Sequence, residues 1–103
     1  MTYWFHPEAL AEYREAALRY KRVKADLGRD FKNAVETGIA GILENPTRFG
    51  PVEHGIRRHL LRRFPYKIYF LHEETRQQVV IYAVMHVSRH PDYWKSRMSP
   101  DKP

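Results

Sequence analysis

The sequence predicts an α+β domain in which a helical hairpin packs on a small, mainly antiparallel sheet, with the elements in the order β-αα-βββ. Three observations predict it. A short aromatic run opens the chain, two stretches follow in which apolar residues recur every three or four positions, and the second half holds strand-like runs divided by turn-forming residues. At 103 residues the chain has room for one core, so 1–98 reads as a single domain and Ser99–Pro103 as a frayed tail.

Tyr3-Trp4-Phe5 suits a short strand, and His6-Pro7 turns the chain into a helix because proline fits the first helical position. From about Glu8 to Lys24 the apolar side recurs at Leu10, Tyr13, Ala17, Tyr20 and Val23, while Glu8, Glu12 and Glu15 supply the negative charge that early helical turns favour. Gly28 is expected to break the pattern. A second apolar face runs through Phe31, Val35, Ile39, Ile42 and Leu43 until Asn45-Pro46 ends it. Each helix is apolar on one side only, so the hairpin must lie on something else, and the remaining sequence supplies a sheet.

Thr47–Gly55 reads as a loop, with Gly50, Pro51 and Gly55 as turn formers. Strands are expected over Ile56–Arg62, Tyr66–His72 and Gln78–Val87, joined by Arg63-Phe64-Pro65 and Glu73-Glu74-Thr75-Arg76 into a meander. The last strand is apolar through Val79–Met85 and should be central and covered on both faces, whereas the other two mix apolar with basic residues and should each expose one face. A short terminal helix is expected over Asp92–Arg97 after Pro91.

Composition narrows the function. Hydrophobic residues make up 43% and charged residues 29%, with a mean hydropathy of -0.67, so the core is small. The absence of cysteine excludes disulfides and thiolate metal sites and suits a reducing cytoplasm. Tyr3-Trp4-Phe5 is cut short by His6-Pro7-Glu8, so no signal peptide is expected, and no apolar run nears the length of a membrane span. The six histidines show no helical i, i+4 pair and no flanking carboxylate cluster of ligand spacing, so no metal and no cofactor are expected. The net charge is +6, favouring nucleic acid, a ribosome or an acidic protein segment as partner, although such charge also serves solubility.

That charge is concentrated. No acidic residue lies between Glu53 and Glu73, yet Arg57, Arg58, Arg62, Arg63 and Lys67 do. Strand alternation would put Arg58, Leu60 and Arg62 on one face and Arg57, His59 and Leu61 on the other, so neither face is purely polar. A mixed basic and apolar face fits a surface partly covered by a partner, while exposed arginines also discourage edge pairing.

Taken together, Phe5-His6-Pro7-Glu8-Ala9, the Pro46 that closes the second helix, Ile56-Arg57-Arg58, Arg63-Phe64-Pro65-Tyr66-Lys67-Ile68-Tyr69, Ala83-Val84-Met85-His86 and Arg89-His90-Pro91-Asp92-Tyr93-Trp94 resemble the RelE/ParE superfamily of type II toxin-antitoxin toxins, often labelled plasmid stabilisation proteins. The ending His86-x-x-Arg89-x-Pro91-x-x-Trp94 is closer to the ParE branch. The resemblance implies a growth-inhibiting cytoplasmic toxin neutralised by a cognate acidic antitoxin, acting on DNA gyrase as ParE-like poisons do. On the RelE side it implies instead a ribosome-dependent, metal-independent messenger RNA endonuclease. A non-toxic relative retaining only antitoxin binding is a third possibility.

For the nuclease reading the resemblance maps catalytic roles to Arg58, Lys67, Arg89 and Tyr93, with lysine at Lys67 where those enzymes carry arginine. Metal-free RNA cleavage needs a base, cations for the charge on phosphorus and an acid, which these residue types supply. Antitoxin or nucleic acid would engage Arg57, Arg58, Arg62, Arg63 and Lys67. A packing role for Tyr93-Trp94 stands beside the catalytic one. His86 is either a general base or a tie between strand end and loop, as in the ParE branch, and His90 is the better-exposed titrating candidate. His54 and His59 would add to phosphate contacts at lower pH.

Overall fold

A computed structural model describes residues 1–98; the expected tail Ser99–Pro103 lies outside the described residues. Strand β1 (Thr2–Phe5) leads into helices α1 (Pro7–Val23) and α2 (Ala25–Glu44), and strands β2 (Ile56–Leu60), β3 (Tyr66–Glu73) and β4 (Gln78–His86) follow. The sheet order is β1-β4-β3-β2. β2, β3 and β4 form the antiparallel meander, and β1 pairs with β4 in parallel, Tyr3 opposite Val79 and Phe5 opposite Ile81. The α+β fold with a hairpin on a mainly antiparallel sheet is as expected. No helix among the described residues is long and apolar enough to cross a membrane.

Each boundary has a local cause. His6 caps α1, its Nδ1 accepting the Glu8 N–H at 3.1 Å, and Pro7 occupies the first turn. One extended residue, Lys24, separates the helices, and Asn45-Pro46 stops α2. Gly28 corrects the sequence reading. It lies inside α2, buried against α1, where a Cβ would come within 2.8 Å of the Lys21 Cβ and 2.9 Å of the Ala17 carbonyl. The glycine permits close helix approach, and the break falls four residues earlier at a residue with no breaker signature.

On one side of the sheet the hairpin's apolar residues, among them Phe31, Val35, Ile39 and Ile42, meet Ile68, Phe70, Val79, Ile81 and Val84. Full burial of such side chains contributes about 1.5 to 3 kcal/mol each. The opposite face carries a second cluster of Ile56, Tyr69, Ala83 and Met85 beneath Trp94, which is fully buried. Trp94 comes from a 3-10 turn, Tyr93–Met98, at the position where a terminal helix was expected. This turn also corrects the expectation for β3, which is buried at Tyr66 and through Ile68–Phe70.

The turn is tied down by charge. β1 covers β4 only as far as Ile81. Beyond it, the Arg97 Nη1–H donates to the Tyr82 carbonyl at 2.7 Å, and the Val84 N–H donates to Glu12 Oε1 at 3.0 Å. Arg97 and Glu12 also join in a bidentate ion pair. Two side chains thus continue the edge where the parallel strand stops, satisfying backbone groups that would otherwise be orphaned. Burial opposes the charge on Arg97, but the hydrogen bond and charge of Glu12, with Glu8 beyond, push its pKa up on balance. Lys95 pairs with Glu53 at 2.6 Å and Asp92 at 3.0 Å, tying the turn to the bend before β2.

Candidate functional site: a basic edge strand with two faces

The acid-free block does not form one surface. Arg57 faces the helices, and its guanidinium donates to the carbonyls of Phe49 at 2.6 Å and Thr47 at 3.4 Å, which holds the loop after α2. Arg58 points the other way, sharing a face with Ile56 and Leu60. It is exposed and lies across from Tyr69, and among the described residues it has no hydrogen-bond or ion-pair partner. Leu60, directly across from Lys67, is 57% exposed. The Lys67 ammonium lies 5.6 Å from the centre of the Tyr69 ring. Arg58 and Lys67 are therefore diagonal neighbours across one strand pair, the arrangement in which long side chains reach the same ligand.

Arg62 departs from the expected alternation. β2 ends at Leu60, so the strand pattern no longer holds at Arg62. Instead Arg62 lines a groove of about 590 Å3 between α2 and the end of β2, together with Arg48, Arg63 and His59 over Gly38 and Gly41. Arg63 pairs with Asp30 at 3.1 Å and stacks over Phe64. Arg62 has no such partner among the described residues. His59 lies against Phe49, and burial, helped by Arg48, holds its pKa below the ordinary imidazole value. Of the five cations that the sequence singles out, one is committed to the fold, one is paired, and Arg58, Arg62 and Lys67 present charge to solvent or to a ring.

The C-terminal candidates behave differently. The Arg89 guanidinium stacks 4.3 Å from the centre of the Tyr93 ring, and Arg97 lies 5.3 Å from the same ring. Tyr93 is 43% exposed, so only Trp94 of the Tyr93-Trp94 pair is a core residue. Among the described residues no hydrogen bond, ion pair or ring contact joins Arg58 or Lys67 to Arg89 or Tyr93. His86 ties the strand end to its loop: its Nδ1 accepts the Ser88 N–H at 3.0 Å, with the Ser88 hydroxyl 2.8 Å away. His90 repeats the device, its Nδ1 accepting the Asp92 N–H at 3.1 Å. Both rings brace the turn that carries Arg89.

Among the described residues no cluster of histidine and carboxylate groups could hold a metal ion. Sequence reasoning missed the Glu12–Arg97 pair, because its members stand 85 positions apart and neither sits in a motif. It also missed Arg48, whose place in the groove follows from how the loop after α2 folds back. No protein-family model matches the chain, and a search of curated proteins gives no match. Function therefore rests on the residues and their geometry.

Proposed function

We propose that this chain is the toxin of a type II toxin-antitoxin pair, closer to the ParE branch, and that it arrests growth by poisoning DNA gyrase. The observation that carries the reading is the edge strand and its end: Arg58 on β2 and Arg62 just past the strand are exposed without a partner of their own, with the exposed Leu60 between them in sequence. Free cations around an apolar side chain make a surface for another macromolecule, and the β-αα-βββ order supports the superfamily resemblance. A cognate acidic antitoxin would cover part of that charge, and the cytoplasm is the expected compartment. No step of this mode of action calls for a cofactor.

The second reading, a ribosome-dependent endoribonuclease, draws support from the diagonal Arg58 and Lys67 and from the Tyr93 hydroxyl held beside Arg89. Two cations would bind the scissile phosphate, and Tyr93 would exchange a proton. The ParE-like ending His86-x-x-Arg89-x-Pro91-x-x-Trp94 favours the gyrase reading over it. A non-toxic relative would keep only the antitoxin surface. Induced expression distinguishes the classes: growth arrest that a neighbouring small acidic protein relieves supports a toxin. Normal growth at high soluble expression without that protein refutes one.

A further inference from the structure

The groove between α2 and the end of β2 holds more hydrogen-bond donors than the fold uses. Asp30, Asn33 and Thr37 of α2 line it, and Arg48, His59, Arg62 and Arg63 come from the chain that follows. Its one carboxylate is engaged, since Asp30 pairs with Arg63 at 3.1 Å. Among the described residues, the side chains of Arg48, Arg62, Asn33, Thr37 and His59 have no hydrogen-bond or ion-pair partner.

Two glycines of α2 make the room. An alanine at Gly38 would put its Cβ 3.2 Å from the His59 Cδ2 and 3.1 Å from the Leu61 Cδ2, and one at Gly41 would put it 3.2 Å from the Arg48 Nη2. The helix surface is bare where the imidazole and the guanidinium lie on it. Phe49 holds both groups from the other side, with the Arg48 guanidinium carbon 4.8 Å from its ring centre and the His59 ring edge-on at 4.8 Å. Packing therefore positions Arg48 and His59, and their N–H donors remain for a ligand.

Three arginines against one aspartate (3 − 1) leave the groove a net charge of +2 with His59 neutral. A phosphate monoester matches this with a charge of about −1.5 to −2 at pH 7 and three acceptor oxygens, whereas a carboxylate or an internal phosphodiester carries a single negative charge. We propose that this groove binds a phosphate monoester, with Arg48 and Arg62 on its oxygens and Asn33, Thr37 and His59 as further donors. The groove, at about 590 Å3, has room for more than the phosphate itself. Sites of roughly 300 to 1,000 Å3 are usual for small ligands. A free mononucleotide and the 5'-phosphorylated end of a nucleic acid share this chemistry. The inference goes beyond the toxin reading, with which it shares Arg62, and its test needs neither gyrase nor antitoxin.

The test uses the full chain with adenosine 5'-monophosphate, adenosine, and one short DNA strand prepared with and without a 5'-phosphate. Amide and imidazole chemical shifts and calorimetry are read for wild type, Arg48→Gln, Gly41→Ala and Arg14→Gln, the last removing the same charge from an exposed position on α1 outside the groove. The proposal expects shifts centred on Thr37, Gly38, Gly41 and His59, and a rise in the His59 pKa on binding, because the anion offsets the burial and the Arg48 charge that lower it. Arg48→Gln should bind at least about tenfold more weakly and Arg14→Gln about as well as wild type. Gly41→Ala should also bind more weakly while melting no lower, since alanine favours a helix. Tighter binding of the 5'-phosphorylated strand than of the mononucleotide assigns the site to a nucleic-acid end, and the reverse to a free nucleotide. The proposal is overturned if neither phosphate ligand moves these amides, if adenosine binds as well as its monophosphate, or if the DNA strand binds equally without its 5'-phosphate. Equal weakening by Arg48→Gln and Arg14→Gln also overturns it.

Discussion

Arg97 and Arg58 carry the same side chain to opposite ends. Arg97 sits in the terminal turn with its side chain almost wholly buried, bound to Glu12 and to the Tyr82 carbonyl, and its turn delivers Trp94 to the core. Arg58 sits on the edge strand, exposed, with no partner among the described residues. The difference is one of unmet polar groups. Where β1 stops short, β4 offers an orphan carbonyl and an orphan N–H, and a guanidinium with a carboxylate is used up in filling the gap. On β2 no backbone group calls for Arg58, so its charge remains free for another molecule. Function is to be sought where cations are left over after the fold has taken those it needs.

That contrast can be broken most severely at Trp94. Trp94→Ala should cost about 3 to 5 kcal/mol in urea denaturation, since a fully buried indole leaves a cavity. Arg97→Ala should cost about 3 kcal/mol, because Glu12 is left with its pairing charge removed while still turned toward β4. If either variant unfolds at the wild-type midpoint, the terminal turn is not a structural clamp. On the other side of the comparison, Arg58→Ala, Arg62→Ala and Lys67→Ala should change stability by only about 0.5 kcal/mol or less. Each should weaken binding to an acidic partner or a nucleic acid by about 1 to 3 kcal/mol. The remaining affinity should fall steeply with salt. Calorimetry giving salt-independent binding, unaffected by the three changes, would reduce the strand charges to a solubility feature.

The smallest expected effect is in pH. Because His59 has its pKa lowered in the fold, the unfolded chain binds its proton more readily. Its contribution to stability is present above the unfolded imidazole value of about 6.5 and is lost as pH falls below it. His59→Gln should therefore flatten the decline in melting temperature between about pH 7 and pH 5. An unchanged decline would assign it to other groups.

Most of the fold was legible because periodicity and punctuation agree: the helix faces through Tyr13 and Val35, the stop at Asn45-Pro46 and the apolar run of β4 all follow local rules. Gly28 misled because glycine serves both backbone freedom and close packing, and only the partner helix decides between them. The site was half legible. The acid-free block is plain in sequence, but whether a given arginine is free depends on distant groups: the Phe49 carbonyl for Arg57, Asp30 for Arg63, and Glu12 for Arg97. Likewise the sequence leaves His86 between a general base and a strand-end tie and makes His90 a titrating candidate, and only the ring geometry shows that both brace a turn.

The most direct test of the central claim, that the cations left free on β2 and just past its end act on a target outside the fold, is a gyrase cleavage assay on supercoiled DNA with purified wild-type and Arg58→Ala/Arg62→Ala protein. Messenger RNA 5' ends would be sequenced after induction in parallel. The account predicts gyrase-dependent DNA cleavage by the wild type, its loss in the double variant despite an unchanged melting temperature, and little effect of Tyr93→Phe. Codon-phased cuts within translated messages, abolished by Tyr93→Phe and unaccompanied by any gyrase cleavage complex, would contradict it.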